Sequence, residues 1–272
     1  NNPIKLSWSN NDTLSIIRQL ADAIDYIHDH DMLHRDIKSS NIFIHNNDPL
    51  IKLGDFGLVF KLGLIINPLA GLGGSVALKG SDGEETQRKA LALGATKQAN
   101  QRAEQALQTL SDITDKFEII TVSGEMGEIC CQQLNLSHQV VYQAEQPTTE
   151  DSTIAAVKAV EAKGVDLILF AGGDGTARNI ASVVSEHIPV LGIPAGCKIH
   201  SGVYAITPTA AGRVTRKMIL GEMLSLAEAD VMDIDESLFR QGIVRAKRYS
   251  EMLVPLDLRY VQAVKNSGKE QE

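Results

Sequence analysis

The residues best placed to do chemistry are Gly172-Gly173-Asp174-Gly175-Thr176. They follow the continuous apolar run Leu167-Ile168-Leu169-Phe170-Ala171, which reads as a strand buried on both faces. After them, Ile180, Val183 and Val184 recur at i, i+3 and i+4, so a helix is expected from near Thr176. Glycines in such a turn admit tight backbone angles and close approach by a ligand. The N–H groups left open at a helix start, with the positive end of its dipole, favour a phosphate. Asp174 is the odd member, because a carboxylate repels a phosphate unless it has another task. It could hold a Mg²⁺ that bridges phosphates, take a proton from an attacking hydroxyl, or merely cap the helix. The first two point to phosphoryl transfer.

Two further stretches bring suitable groups. Ile65-Ile66-Asn67-Pro68 opens a loop containing Gly71, Gly73 and Gly74. The apolar residues 188–193 form a strand expectation that delivers Pro194-Ala195-Gly196 and then Lys198, His200 and Ser201. Lys198 could neutralise a phosphate and Ser201 could bond one, while a histidine such as His200 is more often packed or capped than a proton carrier. Nearer the start, His34-Arg35-Asp36-Ile37-Lys38-Ser39-Ser40-Asn41 precedes Asp55-Phe56-Gly57. Three oxygen donors for a hard cation and one fixed positive charge are gathered there.

The elements that must position these residues are legible as patterns. From Leu62 onward, strand-like runs alternate with glycine-rich loops and helical stretches. Strands are expected at 62–67, 117–122, 140–142 and 188–193, and helices over 96–110, around Cys130, across Ile154, Val157 and Val160, and from Thr207 to about Glu222. Thr148, Thr149 and Ser152 are cap candidates for the helix carrying Ile154. This alternation implies a parallel sheet with ligands at the carboxyl ends of its strands. Residues 229–235 alternate like a strand, with 242–249 as a candidate partner. Ahead of all this, Leu14, Ile17, Leu20, Ile24 and Ile27 make one helical stripe, and 42–44 and 50–53 flank a hairpin turn at 46–49.

In this order, the Asn67 to Gly74 loop, the Gly172 to Thr176 motif and Gly192-Ile193-Pro194-Ala195-Gly196-Cys197-Lys198-Ile199-His200-Ser201 resemble the ATP-NAD kinase family. That family lies within the superfamily that also holds the diacylglycerol and sphingosine kinases, and the last motif is most similar to the acetoin-catabolism X branch. The resemblance implies a Rossmann-like α/β domain over 60–228 and the truncated start of a second, β-rich domain over 229–272. It implies transfer of the γ-phosphoryl of Mg-ATP to a hydroxyl, the 2′-hydroxyl of NAD or a related acceptor. Asp174 would then be base or metal anchor. Gly172, Gly173, Gly175 and Thr176 would form the phosphate cradle, with Asn67, Gly71, Gly73 and Gly74 facing it and Lys198 and Ser201 contributing. Relatives of this type are commonly homo-oligomers. The Asn-Glu or Asn-Asp motif that many NAD kinases use for the substrate ribose has no clear counterpart here.

Residues 1–59 instead resemble the catalytic-loop region of eukaryotic-type protein kinases. That resemblance makes Asp36 the catalytic base, Lys38 a phosphate contact, and Asn41 and Asp55 the Mg²⁺ ligands. No glycine-rich phosphate loop stands ahead of these motifs and no Ala-Pro-Glu follows them, so a protein-kinase fragment is expected, joined near Val59-Phe60. Composition shifts at the same place: 1–59 contains no Glu and holds His28, His30, His34 and His45.

Of 272 residues, 43% are hydrophobic, enough for substantial cores. A net charge of −8 with no basic tract argues against a nucleic-acid or membrane-surface binder, leaving a small molecule as the expected partner. Cys130 and Cys131 adjoin and Cys197 stands alone, so neither a disulfide framework nor a zinc spacing is present. They are expected to be small buried apolar residues in a cytoplasmic protein. No apolar run is long enough to span a bilayer.

Overall fold

The computed structural model describes residues 10–29, 37, 39, 42–44, 51–53, 59–72, 88–90, 92–196, 199–222, 225–234, 246–257 and 259–261. The chain divides into two compact units, Asn1–Val59 with Leu220–Glu222, and Phe60–Ile219 with Met223–Glu272.

In the first unit, helix α1 (Asn10–Asp29) carries the expected apolar stripe, and strands β1 (Ile42–Ile44) and β2 (Ile51–Leu53) pair antiparallel. The side chain of Gln19 on α1 accepts a hydrogen bond from the Ile51 N–H at 3.1 Å. Ile27 is buried, whereas Leu14 and Ile17 of the same stripe are exposed.

The second unit is built on five parallel strands in the order β5-β4-β3-β6-β7. They are β3 (Phe60–Ile66), β4 (Phe117–Val122), β5 (His138–Tyr142), β6 (Leu167–Gly172) and β7 (Val190–Pro194). Between them run α2 (Ala99–Leu107), α3 (Glu128–Gln133), α4 (Glu150–Glu161) and α5 (Asp174–Ala181), and α6 (Pro208–Ile219) follows β7. Side chains alternate across a strand, so Ile65 faces Val157, Val160, Ala177 and Ile180 of α4 and α5. Its neighbours Leu64 and Ile66 face the other way and are as fully buried. Helices α2 and α6 pack on each other. Burial on both faces is why these strands read as unbroken apolar runs.

Several local expectations meet their physical cause. Thr149 is the N-cap of α4, accepting from the Ser152 N–H while the Ser152 hydroxyl accepts from the Thr149 N–H. The pair β8 (Ser225–Ile234) and β9 (Ala246–Leu256) is antiparallel, and β8 starts four residues before the expected Ala229. Cys130 and Cys131 are buried on α3. Burial, reinforced by the neighbouring thiol and Glu104, pushes the Cys130 thiol up; burial and Glu128 push Cys131 up to about 12. Both therefore stay protonated and should resist a disulfide reagent until the chain is unfolded in guanidinium, with peptide mapping locating the labelled cysteines. Among the described residues no helix is long and apolar enough to cross a membrane.

Candidate active site

The strand order reverses between β3 and β6: β4 and β5 build outward on one side, β7 on the other. In such sheets the crevice at the carboxyl ends of the two diverging strands is where ligands bind. Register sets three loop origins level there, because Ile66 pairs with Ala171 and Gly172 pairs with Pro194. The loops entered at Asn67, Gly173 and Ala195 thus meet at one edge.

Side chains and glycines join the three loops. Asn67 Nδ2 donates to Thr176 Oγ1 at 2.9 Å across the reversal point, and its Oδ1 accepts from the Leu69 N–H at 3.1 Å. Gly71 has φ +76°, and a Cβ there would meet the Ala195 carbonyl oxygen at 2.3 Å. A Cβ on Gly172 would meet the Thr176 side chain at 2.5 Å, and one on Gly196 would meet the Gly173 Cα at 3.0 Å. The Gly172 carbonyl accepts from both the Ala195 and Gly196 N–H groups. Gly71 and Gly196 let backbones touch one another, while Gly172 makes room for the Thr176 side chain. Gly175 differs: its nearest neighbour would be Asp233 Oδ2, 3.8 Å from an added Cβ.

Helix α5 begins at Asp174, two residues earlier than the expected Thr176, with Gly173 as its N-cap. The Ala177 N–H bonds the Gly173 carbonyl, so the N–H groups of Asp174, Gly175 and Thr176 have no partner within the helix. Asp174 does not cap this helix through its side chain. Its carboxylate turns to the third loop. Oδ2 accepts from the His200 N–H at 2.8 Å and lies 3.0 Å from His200 Nδ1. Oδ1 accepts from the Ser201 N–H at 3.0 Å and the Ser201 hydroxyl at 2.7 Å. Only 7% of Asp174 is exposed.

Ser201, expected to bond a phosphate, is fully buried. Its Oγ accepts from the Met232 N–H at 2.9 Å and lies 2.9 Å from the Met232 carbonyl, tying Asp174 to β8. Thr176 is likewise buried, with its hydroxyl facing Asn67. Gly73, Gly74 and Lys198 lie outside the described residues, as do Asp36, Asn41 and Asp55. A carboxylate offers about four acceptor directions. Each oxygen of Asp174 has two groups of the third loop within hydrogen-bonding distance. Among the described residues no group of three acidic, histidine or cysteine side chains is gathered for a metal.

Sequence reasoning missed Tyr204, Asp233 and Arg178. The Tyr204 hydroxyl donates to the Gly173 carbonyl at 2.6 Å, and its ring meets Phe170 edge-on with centroids 5.3 Å apart. Burial, helped by the charges of Asp174 and Asp233, pushes its phenol well above the usual range, so it stays a donor. Asp233 on β8 pairs with Arg178 of α5 at 3.0 Å, and the Arg178 guanidinium sits over the Tyr249 ring. A distant tyrosine facing a strand glycine leaves no periodic signal. The local clue was Gly192, where a Cβ would lie 2.3 Å from the Tyr204 ring.

An α/β domain with a glycine-lined edge at its strand reversal defines a nucleotide-binding class. The chain belongs to the ATP-NAD kinase family: the model of the ATP-NAD kinase N-terminal domain matches residues 56–223. The protein kinase domain model matches residues 4–64. Among curated proteins, the chain is 40% identical over 89 residues to eukaryotic translation initiation factor 2-alpha kinase 1 of Plasmodium falciparum, covering 32% of this chain and 5% of that protein. It is 50% identical over 50 residues to putative serine/threonine-protein kinase B of Trypanosoma brucei brucei, covering 18% of this chain and 11% of that one. The chain thus spans a small part of the curated relatives it matches. No solved structure matches.

Proposed function

We propose that this protein transfers the γ-phosphoryl of Mg-ATP to a small-molecule hydroxyl, with the 2′-hydroxyl of NAD as the acceptor the family implies. The observation that carries this reading is the convergence of the Asn67, Gly173 and Ala195 loops at the sheet's reversal point, with the N-terminus of α5 opening between them. The N–H groups of Asp174, Gly175 and Thr176 supply donors for phosphate oxygens, and the helix dipole favours the charge. Lys198 is assigned a phosphate contact. Gly73 and Gly74 are assigned to the same cradle. Mg²⁺ brought by ATP would supply neutralisation of phosphate charge. Positioning and charge neutralisation supply most of the rate in such transfers.

The test is formation of NADP from NAD and Mg-ATP by the full chain, read beside the melting temperature with each ligand. Gly175→Ala should separate binding from folding. A methyl group there meets no atom of the described residues closer than 3.8 Å, so the unliganded melting temperature should hold or rise slightly. The same methyl occupies the space a phosphate needs, and ATP affinity should fall about tenfold, a cost near 1.4 kcal/mol. Unchanged ATP binding in this variant would remove Gly175 from the cradle.

A second reading is favoured by the protein-kinase match over residues 4–64 and the kinases it resembles. It assigns Asp36 as base and Asn41 and Asp55 as Mg²⁺ ligands for Ser/Thr phosphorylation. Phosphate incorporation into a generic protein substrate, lost in Asp36→Asn, would support it; incorporation that survives the substitution would reject it.

A further inference from the structure

Helix α2 carries a half-buried cation, Arg102, that no carboxylate among the described residues pairs with. Two other described arginines of the sheet unit are half-buried, and each has its counter-charge: Arg178 pairs with Asp233 at 3.0 Å, and Arg216 with Asp112. Arg102 instead donates from Nη1 to the Pro194 carbonyl at 3.2 Å and from Nη2 to Gln98 Oε1 at 3.5 Å. These bonds use two of the five N–H donors of a guanidinium, and both go to neutral oxygens. Taking a charge partly out of water against neutral partners costs free energy that an anionic ligand would offset. We infer, on the phosphotransferase reading above, that Arg102 binds the polyphosphate chain of the nucleotide.

The place of its head group supports this. Pro194 ends β7 and is the register partner of Gly172, whose carbonyl bonds the Ala195 and Gly196 N–H groups. Gly71 closes on the same point, since a Cβ there would lie 2.3 Å from the Ala195 carbonyl oxygen. Arg102 therefore ends where the first and third loops meet, one strand from the origin of the Gly173 loop. Helix α2 lies in the crossover between the parallel strands β3 and β4, so it runs back against them and its first turn stands at their carboxyl ends. It packs on β3, β6 and β7, and its buried residues Ala99, Ala103, Ala106 and Leu107 lie outside the cluster that Ile65 forms with α4 and α5. Arg102 thus approaches the crevice from the sheet face opposite α5.

The residue type suits the ligand. A guanidinium is charged at any working pH, and its planar fork matches pairs of phosphate oxygens. The bond to Gln98 is long, so giving it up releases Nη2 for a phosphate oxygen while Nη1 keeps its hold on Pro194. A guanidinium already held by a backbone carbonyl loses less side-chain freedom when the ligand arrives. The Arg102 N–H bonds the Gln98 carbonyl, and Gln98 makes no side-chain cap, so the positive end of α2 adds to the same field.

The test compares the full chain as wild type, Arg102→Met and Arg102→Lys for binding of ATP and of inorganic tripolyphosphate across a salt series, with the unliganded melting temperature recorded for each. Expected for Arg102→Met is an affinity lower by about ten- to hundredfold for both ligands, the range for a bond to a charged group, with a shallower salt dependence. Arg102→Lys keeps the charge without the fork and should fall between the two. Affinities equal to wild type, or affinities that fall while the salt dependence stays that of wild type, would overturn the assignment of Arg102 alone and leave it a tie between α2 and β7. Wild type that binds neither ligand would overturn the phosphotransferase reading and the role of Arg102 with it. Should the variants fail to fold, wild type treated with phenylglyoxal decides the matter by peptide mapping. ATP should protect Arg102 and leave the labelling of Arg216 as it was; labelling at Arg102 that ATP does not reduce would overturn the proposal.

Discussion

Asp174→Ala should abolish measurable turnover and lower folding stability by about 2–4 kcal/mol, since each buried donor left without an acceptor costs about 1–3 kcal/mol and neighbours relax in part. The substitution strands the His200 and Ser201 N–H groups, leaves the Ser201 hydroxyl only the Met232 carbonyl as acceptor, and frees the His200 ring from its orienting oxygen. The third loop then loses its bond to the start of α5, so the loop and the cradle are both displaced. Asp174→Asn should be milder in stability, because one side-chain oxygen still accepts, and almost as damaging in rate, because an NH₂ now faces donors on one side. Urea midpoints and product formation measured on the same preparations check both halves. An Asp174→Ala variant as stable as wild type would mean that the four bonds do not hold the loop.

Gly192→Ala should destabilise the domain by about 1–3 kcal/mol, the usual cost of overfilling a packed core. Its Cβ would lie 2.3 Å, 2.5 Å and 2.9 Å from three atoms of the Tyr204 ring, which is fully buried against Phe170. Either the ring or β7 must move. If the ring moves, the Tyr204 hydroxyl leaves the Gly173 carbonyl, which is the N-cap position of α5. A residue on β7 thereby reaches the active-site edge through one side chain. Removing the ring should relieve the conflict: in a Tyr204→Ala background the same methyl should cost less than in wild type. Equal costs in the two backgrounds would show that the clash is resolved elsewhere. Gly175→Ala is the counterpart, one glycine filling space against protein and the other keeping space open.

The alternation of apolar runs and glycine-rich loops determined the parallel sheet, because a strand covered on both faces has to be apolar throughout. β4 matches its expected bounds residue for residue, and the helix around Ile154 is capped by Thr149, one of the three candidates read for that role. The three loops were legible as well, since tight turns at strand ends require residue types that stand out in a chain. Their meeting was not. It depends on the β5-β4-β3-β6-β7 order and on the register that sets Gly172 opposite Pro194, both products of long-range pairing.

Asp174 shows the division most sharply. Its chemical type and its place at a helix start could be read from five residues, which left base, metal anchor and cap all open. The tertiary structure chose its partners, 26 and 27 positions further on, and so turned the carboxylate inward to the third loop. Most of the motif glycines likewise look alike in sequence, and only the fold decides which of them touch another backbone and which faces open space. Local composition sets what a residue can do; the groups that satisfy its hydrogen bonds determine which of those things it is free to do.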